Sequence, residues 1–220
     1  MKIDPMTYDI LLFDLDGLLV NTEELHFQAY LTMLMNRGCK ASFTFNDFAA
    51  IAHTSSHGLR EWLSPFVPGI PWEELYQEKQ AAYLKLLSKG AISLLPGVAE
   101  FLAMTSGKKR AVATNSNGTQ VELIRKHCPE LNVITTWVTR EQYPRPKPAP
   151  DAYLTAYQQL AKSNERALGF EDSFRGIEAL KSGGFDAVLI CSLDHPQMGQ
   201  PISVPHYPSF TKYIQSFSRR

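Results

Sequence analysis

Short apolar runs alternate with amphipathic stretches over most of this chain, and this pattern predicts its elements. The first run, at residues 8–13, is typical of a strand buried on both faces of a parallel sheet. After residue 94, further apolar runs alternate with helical patterns. These predicted strands comprise residues 110–114, 133–138, 167–170 and 187–191. Repeated β–α units of this kind predict an α/β fold with a doubly wound parallel sheet.

The stretch between the first strand and residue 94 has helical periodicity only. It predicts helices at residues 22–37, 45–52, 57–63 and 71–90, with Thr22 as the N-cap of the first helix. Because this block interrupts the β–α alternation, we interpret it as an inserted all-helical domain. The predicted organisation is an α/β core at residues 1–20 and 91–220, with a helical cap at residues 21–90 over the C-terminal edge of the sheet.

The composition is that of an ordinary globular protein, with 44% hydrophobic and 20% charged residues among 220. The 22 Lys and Arg residues balance the 22 Asp and Glu residues, and no basic block occurs, so neither nucleic acid nor a membrane is an expected partner. Cys39, Cys128 and Cys191 form no CxxC pair, which favours free thiols in a reducing compartment. With no signal-peptide pattern and no apolar run of about 18 residues, we expect a cytoplasmic protein.

Four polar segments follow the predicted strands or lie in the loops beyond them. They are Asp14-Leu15-Asp16-Gly17, Thr114-Asn115-Ser116, the loop around Lys147, and Glu171-Asp172-Ser173. Since loops at the C-terminal edge of a parallel sheet converge, we expect these residues to share one site. Asp14 and Asp16 point the same way on an extended chain, and two adjacent carboxylates need a cation, a shared proton or a chemical role.

This mixture of carboxylates, a lysine and hydroxyl groups favours phosphoryl chemistry. Several carboxylates suit Mg²⁺, which prefers octahedral oxygen coordination. Lysine and hydroxyl or amide donors suit a phosphoryl dianion. One carboxylate can attack phosphorus to form an aspartyl-phosphate, while a second protonates the leaving alkoxide and later deprotonates the attacking water.

Together, these segments resemble the haloacid dehalogenase superfamily. The resemblance is carried by residues 14–23 (DLDGLLVNTE), 114–116 (TNS), 147–151 (KPAPD) and 170–173 (FEDS). The segments occur in the order of the family and span the chain to about Cys191. The sequence is most similar to the phosphatases and β-phosphoglucomutase-like enzymes that carry a helical cap after the first strand.

The resemblance implies Mg²⁺ as cofactor and assigns the acidic residues. Asp14 would be the nucleophile and a metal ligand. Asp16 would be the general acid/base and would also give its backbone carbonyl to the metal. Asp172 would hold Mg²⁺, with Glu171 beside it either as a ligand or as support for one.

The resemblance also assigns phosphate-binding and cap residues. Thr114 and the backbone amide of Asn115 would bind the transferring phosphoryl group, and Lys147 would pair with the phosphate and with Asp14. In the cap, Lys79 interrupts an apolar helical stripe, so it either extends outward over its tyrosine neighbours or meets a substrate anion. His26 matches a histidine of the mutases, and its alternative is a helix residue that faces solvent.

Departures from the mutase pattern decide between two reactions. The arginine that the mutases place after a Gly-x-Ser turn is missing from residues 52–58, Asn21 replaces the usual aspartate, and Arg145-Pro146 replaces the glycine often found before the lysine. The missing arginine favours hydrolysis. The predicted function is therefore a Mg²⁺-dependent phosphatase acting on a small phosphomonoester, a sugar phosphate or similar metabolite, with a β-phosphoglucomutase-like sugar-phosphate mutase as the alternative.

An alternative of another class is a non-catalytic protein that docks a partner through its proline-rich loop at residues 144–150. We expect a small phosphorylated metabolite as partner and a monomer or weak homodimer. The sequence does not identify the phosphomonoester. Beyond Cys191 it predicts only an edge strand at residues 202–204 and a final helix near residues 210–217.

Overall fold

The computed structural model describes residues 3–39, 43–52, 58–90, 92–199 and 201–217, and a parallel sheet lies at its centre. Within these residues the strand order is β3-β2-β1-β4-β5-β6. The strands are β1 (Ile10–Phe13), β2 (Lys109–Ala113), β3 (Thr136–Val138), β4 (Ala167–Glu171), β5 (Asp186–Ile190) and β6 (His206–Tyr207). The chain winds outward first on one side of β1 and then on the other, which confirms the predicted doubly wound α/β fold. The order reverses between β1 and β4, where such sheets bind their ligands.

Helices cover both faces of this sheet and form the insertion. The helices are α1 (Glu23–Asn36), α2 (Phe45–Ala52), α3 (Gly58–Leu63), α4 (Trp72–Ser88), α5 (Val98–Met104), α6 (Gly118–His127), α7 (Asp151–Leu160), α8 (Phe174–Ser182) and α9 (Phe210–Gln215). Helices α5, α6 and α9 pack on one face of the sheet, and α7 and α8 pack on the other. Both faces of β1 are therefore buried. Among the described residues, no helix is both long enough and apolar enough to cross a membrane.

Helices α1 to α4 share a hydrophobic cluster of their own. Phe27 and Met33 of α1 pack with Phe48 of α2 and Leu75 of α4. At its base the insertion is closed by backbone pairing between residues 19–21 and 93–95, including an isolated bridge from Val20 to Leu94. The chain thus leaves and re-enters the α/β part at one place. The predicted boundaries at residues 20/21 and 90/91 lie close to these paired segments and stay a prediction.

The final helix, α9, belongs to the core although its sequence pattern is weak. Phe210 stacks on Phe101 of α5 with 4.8 Å between ring centroids, and Phe170 of β4 lies 5.5 Å from both Phe210 and Tyr213. The Tyr213 hydroxyl donates to the backbone carbonyl of Ile3 at 2.8 Å. The two ends of the described chain therefore meet on the same face of the sheet.

Two predicted strands at the sheet edges differ from the structure. Residues 133–138 were expected to be extended, but Pro129–Val133 form a 3-10 helix, Val133 is half exposed, and pairing with β2 begins at Thr136. The edge strand predicted at residues 202–204 is wrong, because the backbone that pairs with β5 is His206–Tyr207. Short edge strands bury little apolar surface, so their periodicity is weak.

Candidate active site

Asp14 and Asp16 follow directly from β1 at the point where the strand order reverses. The backbone amide of Asp14 still donates to the carbonyl of Phe170 at 3.1 Å, so its position is fixed against β4. Gly17 then adopts a φ of +77°, in the left-handed region that favours glycine. A Cβ at this position would lie 2.3 Å from Oδ2 of Asp172. Both the turn and the approach of that carboxylate therefore require glycine.

The carboxylate of Asp16 accepts hydrogen bonds from both the insertion and the sheet edge. Oδ1 accepts from the hydroxyls of Thr22 (2.6 Å) and Tyr83 (3.2 Å), and Nε2 of His26 lies 3.6 Å away. Oδ2 accepts from the hydroxyl of Ser116 at 2.6 Å. Burial alone would raise the pKa of Asp16, but His26 and these hydroxyls outweigh it and hold the pKa below its usual value. This arrangement therefore favours the ionised form of Asp16.

Thr22 has a different role from the one its position predicts. No hydrogen bond from its side chain caps α1, and its backbone is helical instead of extended. The hydroxyl is instead used by Asp16. Thr22 therefore holds the predicted N-cap position, but its hydroxyl does not cap the helix, because a buried carboxylate competes for the same side chain.

Lys147 joins Asp14 to the end of β4. Its ammonium donates to Oδ1 of Asp14 (2.5 Å), Oε1 of Glu171 (2.7 Å) and the hydroxyl of Tyr153 (2.8 Å). The residue is 4% exposed. Burial would lower the pKa of Lys147, but the charges of Asp14 and Glu171 outweigh it and raise the pKa, so the ammonium stays charged.

The proline-rich loop therefore has its lysine turned into the protein. Pro144, Arg145 and Pro146 are exposed, whereas Lys147 is buried and Pro148 and Pro150 are partly buried. Arg145 pairs with Asp151 at the start of α7 (2.8 Å). Partner docking through the exposed residues of this loop stays a prediction. The buried lysine links the loop to the site.

Three buried carboxylates form an acidic cluster beside this lysine. Oxygen atoms of Asp14, Glu171 and Asp172 all lie within 4.8 Å of one another. Burial raises the pKa of Asp14 and of Asp172, and neighbouring carboxylates raise it further, although the charge of Lys147 opposes this shift at Asp14. Glu171 is already occupied by protein donors: Oε1 accepts from Lys147 and Tyr153, and Oε2 accepts from the first residues after β4. Asp14 and Asp172 therefore have the freer oxygen atoms of the cluster.

The loop after β2 forms the third side of the site. Thr114 is buried, and its hydroxyl accepts from the amide of Ser116 (3.0 Å) and donates to Asp16 (3.3 Å). Oδ1 of Asn115 accepts from the hydroxyl of Tyr143 (2.7 Å). The N-cap of the next helix, α6, is Asn117, which forms a capping box with Gln120.

His26 and Lys79 line the same cavity from the insertion. The Lys79 ammonium lies 2.7 Å from Nδ1 of His26 and over the rings of Tyr30 (5.2 Å) and Tyr83 (4.8 Å). The lysine is only 3% exposed, so it does not extend outward into solvent. Burial lowers its pKa to about 7, against a smaller opposing effect of Asp16. With Lys79 donating, Nδ1 of His26 is an acceptor and its Nε2 hydrogen faces Asp16.

A cavity of about 270 Å³ between the insertion and the sheet edge collects the predicted residues. Every residue that the sequence assigned to the site contributes to its wall: Asp14, Asp16, His26, Lys79, Thr114, Asn115, Lys147, Glu171 and Asp172. The four segments therefore converge as expected, although Asp16 directs its carboxylate to hydroxyl groups and away from the acidic cluster. Their chemical roles are not decided by this convergence.

Sequence reasoning missed three residues of the cavity region. Ser116 stood in a quoted segment without a role, and Tyr83 was predicted only as part of an apolar stripe, yet both bind Asp16. Arg175 in the first turn of α8 also lines the cavity. Arg175 could have been identified from its position, because it lies two residues after Ser173, the N-cap of α8. The first turn of a helix that begins at this edge of the sheet faces the site.

Gly176 provides a test of how the site is built. A Cβ at this residue would lie 1.8 Å from Cδ of Glu171, the carboxylate that holds Lys147. We expect Gly176→Ala to displace this carboxylate and to lower the free energy of unfolding by about 1–3 kcal/mol, as overpacking does. Gly118→Ala is the matched control, since Gly118 also lies in the first turn of a helix and has open space around it. Urea denaturation of both variants measures the difference, and equal stability would contradict this account.

Comparison with known proteins places the chain in a family. The sequence profile of the haloacid dehalogenase-like hydrolase family matches residues 11–190. A phosphorylated carbohydrates phosphatase from Thermotoga maritima is 28% identical over 192 residues, which cover 82% of this chain and 83% of the relative. A β-phosphoglucomutase from Mycobacterium bovis is 30% identical over 207 residues, which cover 81% of this chain and 79% of the relative.

A solved structure has the same fold. It is the crystal structure of a mutant of CbbY from Rhodobacter sphaeroides in complex with xylulose 1,5-bisphosphate. The TM-score is 0.78 at 23% identity, and the match covers 93% of this chain and 96% of the other. With the profile match over most of the chain, the chain belongs to the haloacid dehalogenase-like hydrolase family and is an enzyme of the haloacid dehalogenase superfamily.

Proposed function

We propose that this protein is a Mg²⁺-dependent phosphatase that hydrolyses a small phosphomonoester through an aspartyl-phosphate intermediate. The observation that carries the proposal is the position of Lys147, whose buried ammonium lies 2.5 Å from Asp14 beside an acidic cluster. A phosphoryl group that approaches Asp14 meets this cation and the hydroxyl-bearing loop at Thr114. Fixed donors and cations of this kind stabilise the charge on a transferring phosphoryl group.

The acidic cluster fits Mg²⁺. Asp14 and Asp172 offer hard carboxylate oxygens with free lone pairs. The single charge of Lys147 leaves the three buried carboxylates with excess negative charge, which a divalent cation would balance. Glu171 supports the two ligands through Lys147 and the amide of Asp172. When bound, Mg²⁺ would neutralise charge on the phosphoryl oxygens and keep Asp14 ionised.

Asp14 and Asp16 then divide the chemistry. In the first step, a carboxylate oxygen of Asp14 bonds to phosphorus and the bond from phosphorus to the alkoxide oxygen breaks. Asp16, which enters this step carrying the proton that it took from water in the preceding turnover, gives that proton to the alkoxide oxygen. In the second step Asp16 takes a proton from water, the water oxygen bonds to phosphorus, and the bond to Asp14 breaks. The hydroxyl donors of Thr22 and Ser116 favour the ionised Asp16 that the second step needs.

We further propose that residues 21–90 act as a cap over this site. The insertion brings Lys79 and His26 to the cavity, and Gln80 of α4 accepts a hydrogen bond from Gln120 of α6 across the gap. Such a cap excludes bulk water and selects the leaving group. The named activity of the phosphatase from Thermotoga maritima, on phosphorylated carbohydrates, supports a sugar phosphate or similar metabolite as the substrate.

Release of inorganic phosphate from a panel of phosphomonoesters, with Mg²⁺ and after chelation, tests the proposal. We expect turnover of at least one sugar phosphate with Mg²⁺ and its loss after chelation, since the single charge of Lys147 does not balance the three carboxylates of Asp14, Glu171 and Asp172. Restoring Mg²⁺ to the same sample is the control for irreversible unfolding. Turnover that persists unchanged in the chelator would refute Mg²⁺ dependence.

A sugar-phosphate mutase is the second candidate function. The similarity to a β-phosphoglucomutase and the position of His26 and Lys79 in the cavity favour it. A mutase would be primed by a sugar bisphosphate and would form an isomeric sugar phosphate faster than inorganic phosphate. Measuring both products from one hexose 1-phosphate sample separates the two reactions.

A further inference from the structure

Arg175 bridges the two sides of the cavity, and the proposed chemistry gives it no role. It lies in the first turn of α8 and lines the cavity wall. One Nη donates to the backbone carbonyl of Lys147 at 2.8 Å, and the other donates to the carbonyl of Ala52, at the end of α2, at 3.1 Å. Two carbonyls from different parts of the chain thus fix the plane of the guanidinium.

The positive charge of Arg175 has no counter-ion within the described part of the chain. No carboxylate there lies within 4.0 Å of it, whereas Lys147 is paired with Asp14 and Glu171. Burial lowers the pKa of Arg175, yet a guanidinium keeps its proton in proteins. The charges of Glu171 and Asp14 act on Arg175 only from beyond 4.0 Å, and they do not offset the cost of its burial, so an anion that binds the guanidinium directly would be favourable.

The hydrogen bonds of Arg175 are also incomplete. A guanidinium has five N–H donors in a rigid fork, and only two are used by the carbonyls. Nε is buried and has no acceptor among the described residues. A neutral amide could link the two carbonyls equally well, so the charge and the remaining donors indicate a ligand.

Besides Arg175, the cavity has a second basic side chain, Lys79, which has no carboxylate partner among the residues described. Lys79 belongs to the insertion, whereas Arg175 belongs to the α/β part. Lys147 already serves the phosphoryl group at Asp14. We propose that Arg175 is a specificity-determining residue whose guanidinium binds a second anionic group of the substrate, distinct from the phosphoryl group transferred to Asp14. This inference rests on the proposed function and narrows its substrate to phosphomonoesters with another anionic group, such as sugar bisphosphates.

Equilibrium binding in the Asp14→Asn background, where turnover is blocked, tests this inference. Two matched pairs serve as probes with Mg²⁺ in titration calorimetry: fructose 1,6-bisphosphate against fructose 6-phosphate, and glucose 1,6-bisphosphate against glucose 6-phosphate. The measured quantity is the ratio of the two dissociation constants in each pair. We expect a preference for the bisphosphate in at least one pair, and we expect Arg175→Gln to reduce it about tenfold or more, the effect of one charge-assisted hydrogen bond.

The controls separate recognition from structure. Arg166→Gln is the same substitution at an exposed arginine before β4, at the opposite edge of the sheet, and should leave the ratio unchanged. Arg175→Lys keeps the charge and should reduce the ratio less than Arg175→Gln. Equal weakening of both members of a pair would make Arg175 a mere link between Ala52 and Lys147 and would overturn the inference, as would the absence of any bisphosphate preference. Failure of the phosphatase proposal would instead appear in the turnover assay, because binding here is measured without turnover.

Discussion

Asp14→Asn is expected to lower the turnover number for phosphate release by about 10⁴-fold or more, which is the scale of losing a nucleophile that acts with its neighbours as a unit. Asparagine matches aspartate in size and can still accept the hydrogen bond from Lys147. Its amide cannot form the acyl phosphate on which the proposed second step depends. Steady-state release of inorganic phosphate from the best substrate of the panel measures the effect.

The matched control for this substitution is Asp186→Asn. Asp186 begins β5, is exposed, and contacts Tyr8 and Arg166 far from the cavity. This variant should keep the turnover of the wild type. Both variants should show a cooperative thermal unfolding transition, which confirms that they are folded. Wild-type turnover in Asp14→Asn would refute the aspartyl-phosphate mechanism, because no other carboxylate of the cluster has the same freedom from protein donors and the same contact with Lys147.

Lys79→Met is expected to stabilise the protein near and below neutral pH. The folded protein lowers the pKa of Lys79 from 10.5 to about 7. Below pH 7 both the folded and the unfolded chain carry this charge, so the full cost of burying it is present there. Between about pH 7 and pH 10.5 only the unfolded chain binds the proton, so the stability of the wild type rises with pH. Methionine has no such charge, and the gain at pH 6 should be up to about 5 kcal/mol.

Urea denaturation of wild type and Lys79→Met at about pH 6 and pH 9.5 measures this effect. The difference in free energy of unfolding should shrink as the pH rises, and comparing the two proteins cancels the titration of all other groups. Lys85→Met, an exposed lysine on the same helix, is the control and should show a small difference at both values of pH. A Lys79→Met gain of the same size at both pH values would contradict the burial of a titrating ammonium.

Much of the fold and the convergence of the site could be predicted because both depend on strong local signals. The apolar run before Asp14, the β–α alternation and the insertion without strands together predict the sheet and the edge at which Asp14, Thr114 and Glu171 meet. The two edge strands were misplaced because three or fewer paired residues leave almost no periodicity. Aromatic residues of α9 pack into the core, but a six-residue helix gives too short a pattern to reveal it.

The remaining features depend on contacts between residues that are distant in sequence. Thr22 was expected to cap a helix, and only the approach of Asp16 in space shows why its hydroxyl is used elsewhere. Arg175 donates to the backbone carbonyls of Ala52, at the end of α2, and of Lys147. The sequence around Arg175 predicts neither contact. The sequence shows that Lys79 interrupts an apolar helical stripe, but not where its side chain points. Only the structure shows that its ammonium lies over the rings of Tyr30 and Tyr83.

The central position of β1 also constrains the order in which the chain can fold. Ile10 pairs with Lys109 on one side and with Ala167 on the other, so both partners of this strand are synthesised long after it. The hydrophobic cluster of Phe27, Met33 and Leu75 joins residues much closer in sequence and can form earlier. Closing the long loops to β2 and β4 costs chain entropy before any sheet contact repays it. The insertion therefore separates the strand that precedes Asp14 from both of its partners, so this strand stays unpaired until residues far along the chain have been synthesised.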